Sequence, residues 1–300
     1  MTFATSDSDA ASPDGVEALS RPAVLVEAVV TGTAIVLAGT LPRNALFVAN
    51  LAFFPAVPWA IPVLAVYLWV FWRYLRGDGP PPSTSAKRRA NLRATPLGAR
   101  VWAWALVAGG LGIVALVLGL RLTNRLVALP PQTLPDFAGV PSTTIVALLL
   151  AGAPVAGIVE ESAFRGYMQG PLERTFGVVT AILISGTMFA LVHLDFTLVL
   201  WPYYVAVAFV YGLVAYLTRS ILPAIVLHTA GNTYSNLDLW LHGQAEWQAP
   251  ASQAGTIWTT GPDAAFWVLA ALLAVAAVAA VLAYMRLNYV VSGFSRTPGP

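Results

Sequence analysis

Long apolar runs alternate with short polar or proline-rich breaks along most of this chain. A helix needs about 20 apolar residues to span a hydrocarbon core. The pattern predicts eight such runs: 22–41, 47–72, 101–120, a fourth from Ser142 into a polar cluster at Glu160, then 176–194, 198–217, 221–238 and 264–284. The predicted fold class is all-α, a polytopic membrane helix bundle. Pro55, Pro58 and Pro62 should kink the second run in its first half. Residues 1–21, rich in Ser, Asp, Ala and Pro without a helical period, predict a disordered polar tail with no signal-peptide start. A transmembrane domain is expected over 22–285 and a second short tail over 286–300.

Charge sharpens this picture. Charged residues make up 10% of the chain against 58% hydrophobic, where a water-soluble domain carries about 25% charged residues. Basic residues concentrate at Arg73, Arg76, Lys87, Arg88, Arg89, Arg93 and Arg100 around a Gly-Asp-Gly-Pro-Pro-Pro loop. Such a patch can hold anionic lipid or a substrate tail, but a positive-inside topology signal explains it more simply. Placing that loop inside and alternating leaves only Arg43, Arg121 and Arg125 of the sixteen Lys and Arg residues outside. Both termini are therefore expected in the cytoplasm. Lys87 is the one lysine; with the abundant Ala, Gly and Pro this suggests a GC-rich bacterial genome, hence a bacterial inner membrane. The absence of cysteine excludes disulfides, thiolate ligands and a cysteine nucleophile.

Against this background the polar residues between Glu160 and Asn232 are costly. A charge near the bilayer centre costs roughly 2.5–3.5 kcal/mol on insertion scales, so intramembrane ionisable groups are functional candidates. Glu160-Glu161-Ser162-Ala163-Phe164-Arg165 places Arg165 four residues after Glu161, where helical side chains meet and one carboxylate is neutralised. Glu160 then points about 100° away, free to act as a base. Phe189 precedes His193 by four residues, and His228 and Asn232 share one helical face. Of three histidines, only His242 falls in an expected loop, between Trp240 and Trp247, and it is read as incidental. Glu27, just inside the first run, is read as facing other helices or the interface.

A carboxylate, two imidazoles and an amide can activate water, shuttle its proton and stabilise an oxyanion. Glu160, His193 and His228 are also a zinc-type donor set, although the spacing is not that of a His-Glu-x-x-His helix. The residues alone leave both chemistries open.

Glu-Glu-x-x-x-Arg, Phe-x-x-x-His and His-x-x-x-Asn, in this order on successive apolar segments, resemble the CPBP family of intramembrane endopeptidases, which includes the type II CAAX prenyl proteases and the Abi bacteriocin-processing and self-immunity proteins. The resemblance covers roughly 142–240, the expected catalytic core. It implies that Glu160 activates water, that His193 helps to hold it, and that His228 and Asn232 stabilise the oxyanion or complete the polar site. Glu161 and Arg165 would support this arrangement, with Phe189 as a further motif residue. The preferred reading requires no cofactor, and zinc held by Glu160, His193 and His228 is the alternative.

The expected activity is hydrolysis of a peptide bond in a membrane-associated protein or peptide, in a cavity open to the cytosol or to lipid. The lipid bilayer is the other expected partner, and no nucleic acid is. Oligomeric state is not legible. An inactive immunity or scaffold protein is one rival. A transporter with a proton relay is another, disfavoured because no matching repeats are visible. Depth poses one difficulty: simple spans put Glu160 about 8 Å and His193 about 25 Å from their shared turn. Helix continuing past Arg165, or a bend at Pro154, would reconcile them.

Overall fold

The computed structural model describes residues 19–128, 137–193, 200–242 and 256–294. The bulk of the expected N-terminal tail, the end of the C-terminal one, and the segments 129–136, 194–199 and 243–255 lie outside the described residues.

The chain is built from α-helices: α1 Arg21–Phe53, α2 Ala60–Leu75, α3 Ser85–Leu92, α4 Ala99–Leu126, α5 Ser142–Glu160, α6 Gln169–Phe176, α7 Val178–Leu191, α8 Trp201–Thr218, α9 Leu222–His242, α10 Ile257–Thr260 and α11 Ala264–Phe294. A π-helix, Glu161–Met168, joins α5 to α6 without a break. Five helices are long and apolar enough to cross a membrane: Arg21–Phe53, Ala99–Leu126, Ser142–Phe176, Trp201–Thr218 and Ala264–Gly293. The helices α2 and α7 are apolar but shorter. Among the described residues, length and hydropathy thus identify five crossings and do not confirm the expected count of eight, and the protein is a polytopic helical bundle.

The first two runs divide differently from expectation. Helix α1 continues through Pro42 to Phe53 and carries Arg43 within it. Pro42 has no N–H for the Ala38 carbonyl, and the Tyr67 hydroxyl of α2 donates to that carbonyl instead. The break falls at 54–59, around Pro55 and Pro58. Buried Asn50 closes it, donating to Val57 O at 3.0 Å and accepting from Ala60 N at 2.8 Å. The prolines therefore make the turn between two helices rather than a kink inside one.

Continuous helix from Ser142 to Phe176 also removes the depth difficulty. From Glu160 to Phe176 the helix rises about 24 Å, and from Val178 to His193 the chain returns about 22 Å. Gly177, at φ 83°, makes the turn between them. The two motifs are therefore level.

The basic segment is largely engaged with the protein itself. Arg88 is buried and donates to the carbonyls of Tyr74, Asp78 and Gly79. Arg93 pairs with Glu173 at 3.0 Å and donates to Ala215 O at 2.9 Å, tying this segment to α6 and α8. Lys87 pairs with Glu27, which places Glu27 against α3. Arg73 donates to Asp78 and holds its carboxyl below the ordinary carboxylate range.

Helices α5 and α9 pack along much of their length, because Gly157 lets the backbones approach. A Cβ at Gly157 would lie 2.4 Å from Thr229 Oγ1 and 3.0 Å from Ile225 O. Asn236 of α9 donates to Leu149 O of α5 at 2.7 Å, fixing the register one turn before Pro154. This contact sets the distance between the carboxylates on α5 and its extension and the polar face of α9. Gly157→Ala should cost about 1–3 kcal/mol by overpacking and lower the thermal midpoint of the detergent-solubilised protein. Gly119→Ala, whose Cβ would meet only Leu273 Cδ1 at 3.9 Å, should leave it nearly unchanged.

Candidate active site

All eight residues of the π segment are buried, including Glu161 and Arg165. A π-helix is rare and concentrates at functional sites. Arg165 Nη1 lies 3.2 Å from Glu161 Oε1, so the expected i,i+4 pair forms within this wider helix. The Arg165 guanidinium also lies over the rings of Phe189 and Tyr211, 4.9 Å and 5.4 Å from their centroids. Opposite charge and aromatic faces together stabilise a cation removed from water.

Glu161 Oε1 also accepts from His228 Nδ1 at 2.7 Å. That bond fixes the imidazole orientation from α9. His228 Nε2 then faces Glu160 Oε2 at 3.9 Å, while Tyr211 stacks on the ring with 5.1 Å between centroids and 11° between planes. Glu160, the last residue of α5, has a side chain 15% exposed. Its Oε2 has no hydrogen-bond partner in the protein. The free carboxylate expected from the sequence is thus present beside a held imidazole.

His193 Nδ1 lies 2.8 Å from Phe189 O. Since a carbonyl only accepts, Nδ1 carries the proton of the neutral ring and Nε2 keeps its lone pair. Tyr204 stacks on His193 at 4.4 Å, and Phe189 packs against both histidines, 4.7 Å from His193 and 6.2 Å from His228. Phe189 therefore orients His193 through its carbonyl and spaces the two imidazoles with its ring. Glu160, His193, His228 and Asn232 line one cavity of about 350 Å³. Asn232 also lines a second cavity of about 290 Å³, in which Arg43 is the charged residue.

Among the described residues, no three His, Asp or Glu side chains converge closely enough to hold a metal ion. His228 Nδ1 is held by Glu161, and its Nε2 lies 3.9 Å from Glu160 Oε2. The expected zinc set of Glu160, His193 and His228 is not drawn into a ligand cluster. What the arrangement offers is an unpaired carboxylate, two oriented imidazoles and an amide facing a common space.

Sequence reasoning missed Tyr204 and Tyr211, which buttress the two imidazoles. Their spacing of seven residues puts them on one face of α8, a signal present in the chain. It also missed Arg43, the charged residue of the second cavity that Asn232 lines, because the residue was assigned to a loop between spans.

The buried pair supplies a direct test. Arg165→Met leaves the Glu161 carboxylate without its counter-charge and should destabilise the protein by about 3–5 kcal/mol. The double variant Glu161→Gln/Arg165→Met should recover part of that loss in thermal melts of the purified protein. A double variant as unstable as the single one would show that the charge pair is not the source of the effect.

Residues 142–234 match the family model described as type II CAAX prenyl endopeptidase, Rce1-like. No curated protein and no solved structure matches the chain. The matched segment contains the continuous helix from α5 to α6, with α7, α8 and the polar face of α9, so it holds every motif residue described above. Over this segment the chain is similar to the type II CAAX prenyl endopeptidases, and its long apolar helices make it an integral membrane protein.

Proposed function

We propose that the protein hydrolyses a peptide bond of a membrane-associated protein or peptide, using water activated by Glu160. The observation that carries this reading is the Glu160 carboxylate, 3.9 Å from an imidazole nitrogen whose ring is held by a second carboxylate, at the wall of a cavity of about 350 Å³. Water must reach a site within a bundle through such a protein-lined space. Glu160 takes a proton as the water oxygen attacks the scissile carbonyl carbon. The neutral His193 ring accepts a hydrogen bond from that water at Nε2. Asn232 Nδ2 donates to the developing oxyanion. As the C–N bond breaks, the proton held by Glu160 passes to the leaving nitrogen, directly or through His228 Nε2. Glu161 and Arg165 act on this sequence by positioning His228, and do not touch substrate.

On this reading an inactive immunity or scaffold role has no use for the held imidazole and unpaired carboxylate. The protein resides in a bacterial inner membrane with both termini in the cytoplasm.

The test is cleavage of a quenched fluorescent peptide library by detergent-purified protein. Glu160→Gln should lower the rate by about 10²–10⁴-fold, the range of general-base catalysis, and Asn232→Ala by about 10²–10³-fold, as for an oxyanion donor. A chelator should leave wild-type cleavage intact. Loss of cleavage on chelation would move the reaction to a metal, and equal rates for wild type and Glu160→Gln would remove Glu160 as the base.

A further inference from the structure

Arg43 stands apart from the other arginines drawn into the protein. Arg88 donates to backbone carbonyls, Arg93 meets Glu173, Arg125 meets Asp263 and Arg165 meets Glu161. Arg43 is half-buried well inside α1, a helix long and apolar enough to cross the membrane. Its Nε and Nη2 both donate to Oδ1 of neighbouring Asn44, at 3.0 Å and 2.9 Å. Among the described residues no carboxylate lies within ion-pair distance of it. Intramembrane charges ordinarily pair with one another or serve a ligand pathway.

The packing of α1 sets this charge beside the proposed reaction site. Gly32, Gly39, Arg43 and Phe47 recur at helical spacing on one face. A Cβ at Gly32 would lie 3.3 Å from Ala163 O, one at Gly39 would lie 2.4 Å from Val159 Cγ1, and one at Gly152 would lie 3.7 Å from the Phe47 ring. That face therefore runs along α5 and its extension. Arg43 falls one helical turn, about 5 Å, beyond the contact with Val159, the neighbour of Glu160. It lines the cavity of about 290 Å³ with Phe47, Leu148, Gly152, Ala156 and Asn232. Asn232 also lines the cavity that holds Glu160. Besides Arg43 and three asparagines the lining of the Arg43 cavity is apolar, so the guanidinium is weakly screened and an anion beside it is strongly favoured.

Resting on the peptidase reading, we propose that Arg43 binds a carboxylate of the substrate, which makes this cavity a specificity subsite next to the scissile bond. Asn232 donates to the carbonyl oxygen under attack, and a substrate residue adjoining that carbonyl reaches past Asn232 into the second cavity. The guanidinium edge formed by Nε and Nη2, now turned to the Asn44 amide oxygen, is the fork that both oxygens of a carboxylate accept from in parallel. The carboxylate belongs to an acidic side chain or to a free C-terminus close to the cleaved bond. Arg43 sits on α1, outside the segment that carries the catalytic motifs, so selectivity and chemistry reside on different parts of the chain.

The quenched peptide library tests this when made as matched pools, with Glu, Gln or Lys fixed at each position in turn and with a C-terminal acid or amide. Wild type should cleave an acidic pool about 10–100-fold faster than its neutral match, the worth of a charge-assisted hydrogen bond. The pair of pools that shows the preference tells a side-chain carboxylate from a terminal one. Arg43→Gln should bring the ratio close to one, and Arg43→Glu should reverse it, toward Lys or the amide. Equal rates for acidic and neutral pools, the outcome if Arg43 holds a lipid phosphate instead, would overturn the proposal. An acid preference that survives in Arg43→Gln would do the same. Should Arg43→Gln fail to accumulate, Arg43→Lys decides, since it keeps the charge and loses the fork. Its ratio should fall yet stay on the acidic side, and an unchanged ratio would overturn the proposal.

The same pools carrying a single fluorophore are titrated into Glu160→Gln protein, with and without Arg43→Gln, and followed by anisotropy. Acid-selective binding that needs Arg43, in a protein whose wild type cleaves nothing, would defeat the peptidase reading alone. Unselective binding together with Glu160-dependent cleavage would defeat the subsite alone. Unselective binding without cleavage would defeat both.

Discussion

The Glu161 carboxylate is the constraint on which the rest of the site depends. It is fully buried, and one of its oxygens meets both the Arg165 guanidinium at 3.2 Å and His228 Nδ1 at 2.7 Å. Removing a carboxylate from water costs several kcal/mol, repaid only by close opposite charge and hydrogen bonds. Arg165 supplies the charge from the same helix, and His228 supplies the hydrogen bond from α9. A requirement of electrostatics thus becomes a requirement of geometry: α9 must sit where its imidazole can reach α5's extension. Gly157 makes that approach sterically open, and Asn236 fixes its register. The same bond turns His228 Nε2 toward Glu160, so the stability of one carboxylate sets the surroundings of the other.

Much of this was legible in the chain. Apolar runs disclosed a membrane helix bundle, and the i,i+4 spacings of Glu161 with Arg165 and of His228 with Asn232 identified the residues gathered near one cavity. Order along the chain pointed to the family whose model matches residues 142–234. Less visible was how the pieces join. Hydropathy cannot distinguish a span that ends at Arg165 from a helix that continues as π-helix to Phe176, because the polar residues of the extension are buried against protein rather than exposed to water. The gap expected between the runs 22–41 and 47–72 is helical instead, because the sequence does not announce that Tyr67 takes over the Ala38 carbonyl beside Pro42. Tyr204 and Tyr211 do not stand out in the sequence, since a seven-residue spacing is common to any packed helix face.

Function follows from the contrast between the two adjacent glutamates. Glu161 is fully buried, with Oε1 held by Arg165 and His228, and it does not line the cavity. Glu160 faces that cavity with an oxygen that makes no hydrogen bond within the protein. One backbone step separates a positioning group from the proposed base. The aromatic rings of Phe189, Tyr204 and Tyr211 hold the imidazoles without competing for their outer nitrogens.

The most direct measurement of the central claim is a single-turnover cleavage in ¹⁸O-enriched water, with mass spectrometry of both the product and the enzyme peptide containing Glu160. If Glu160 acts as a base on water, the solvent oxygen enters the new product carboxylate and Glu160 stays unlabelled. Solvent oxygen in the Glu160 side chain, or enzyme oxygen in the product, would mean that the carboxylate attacks the substrate itself and would contradict the account.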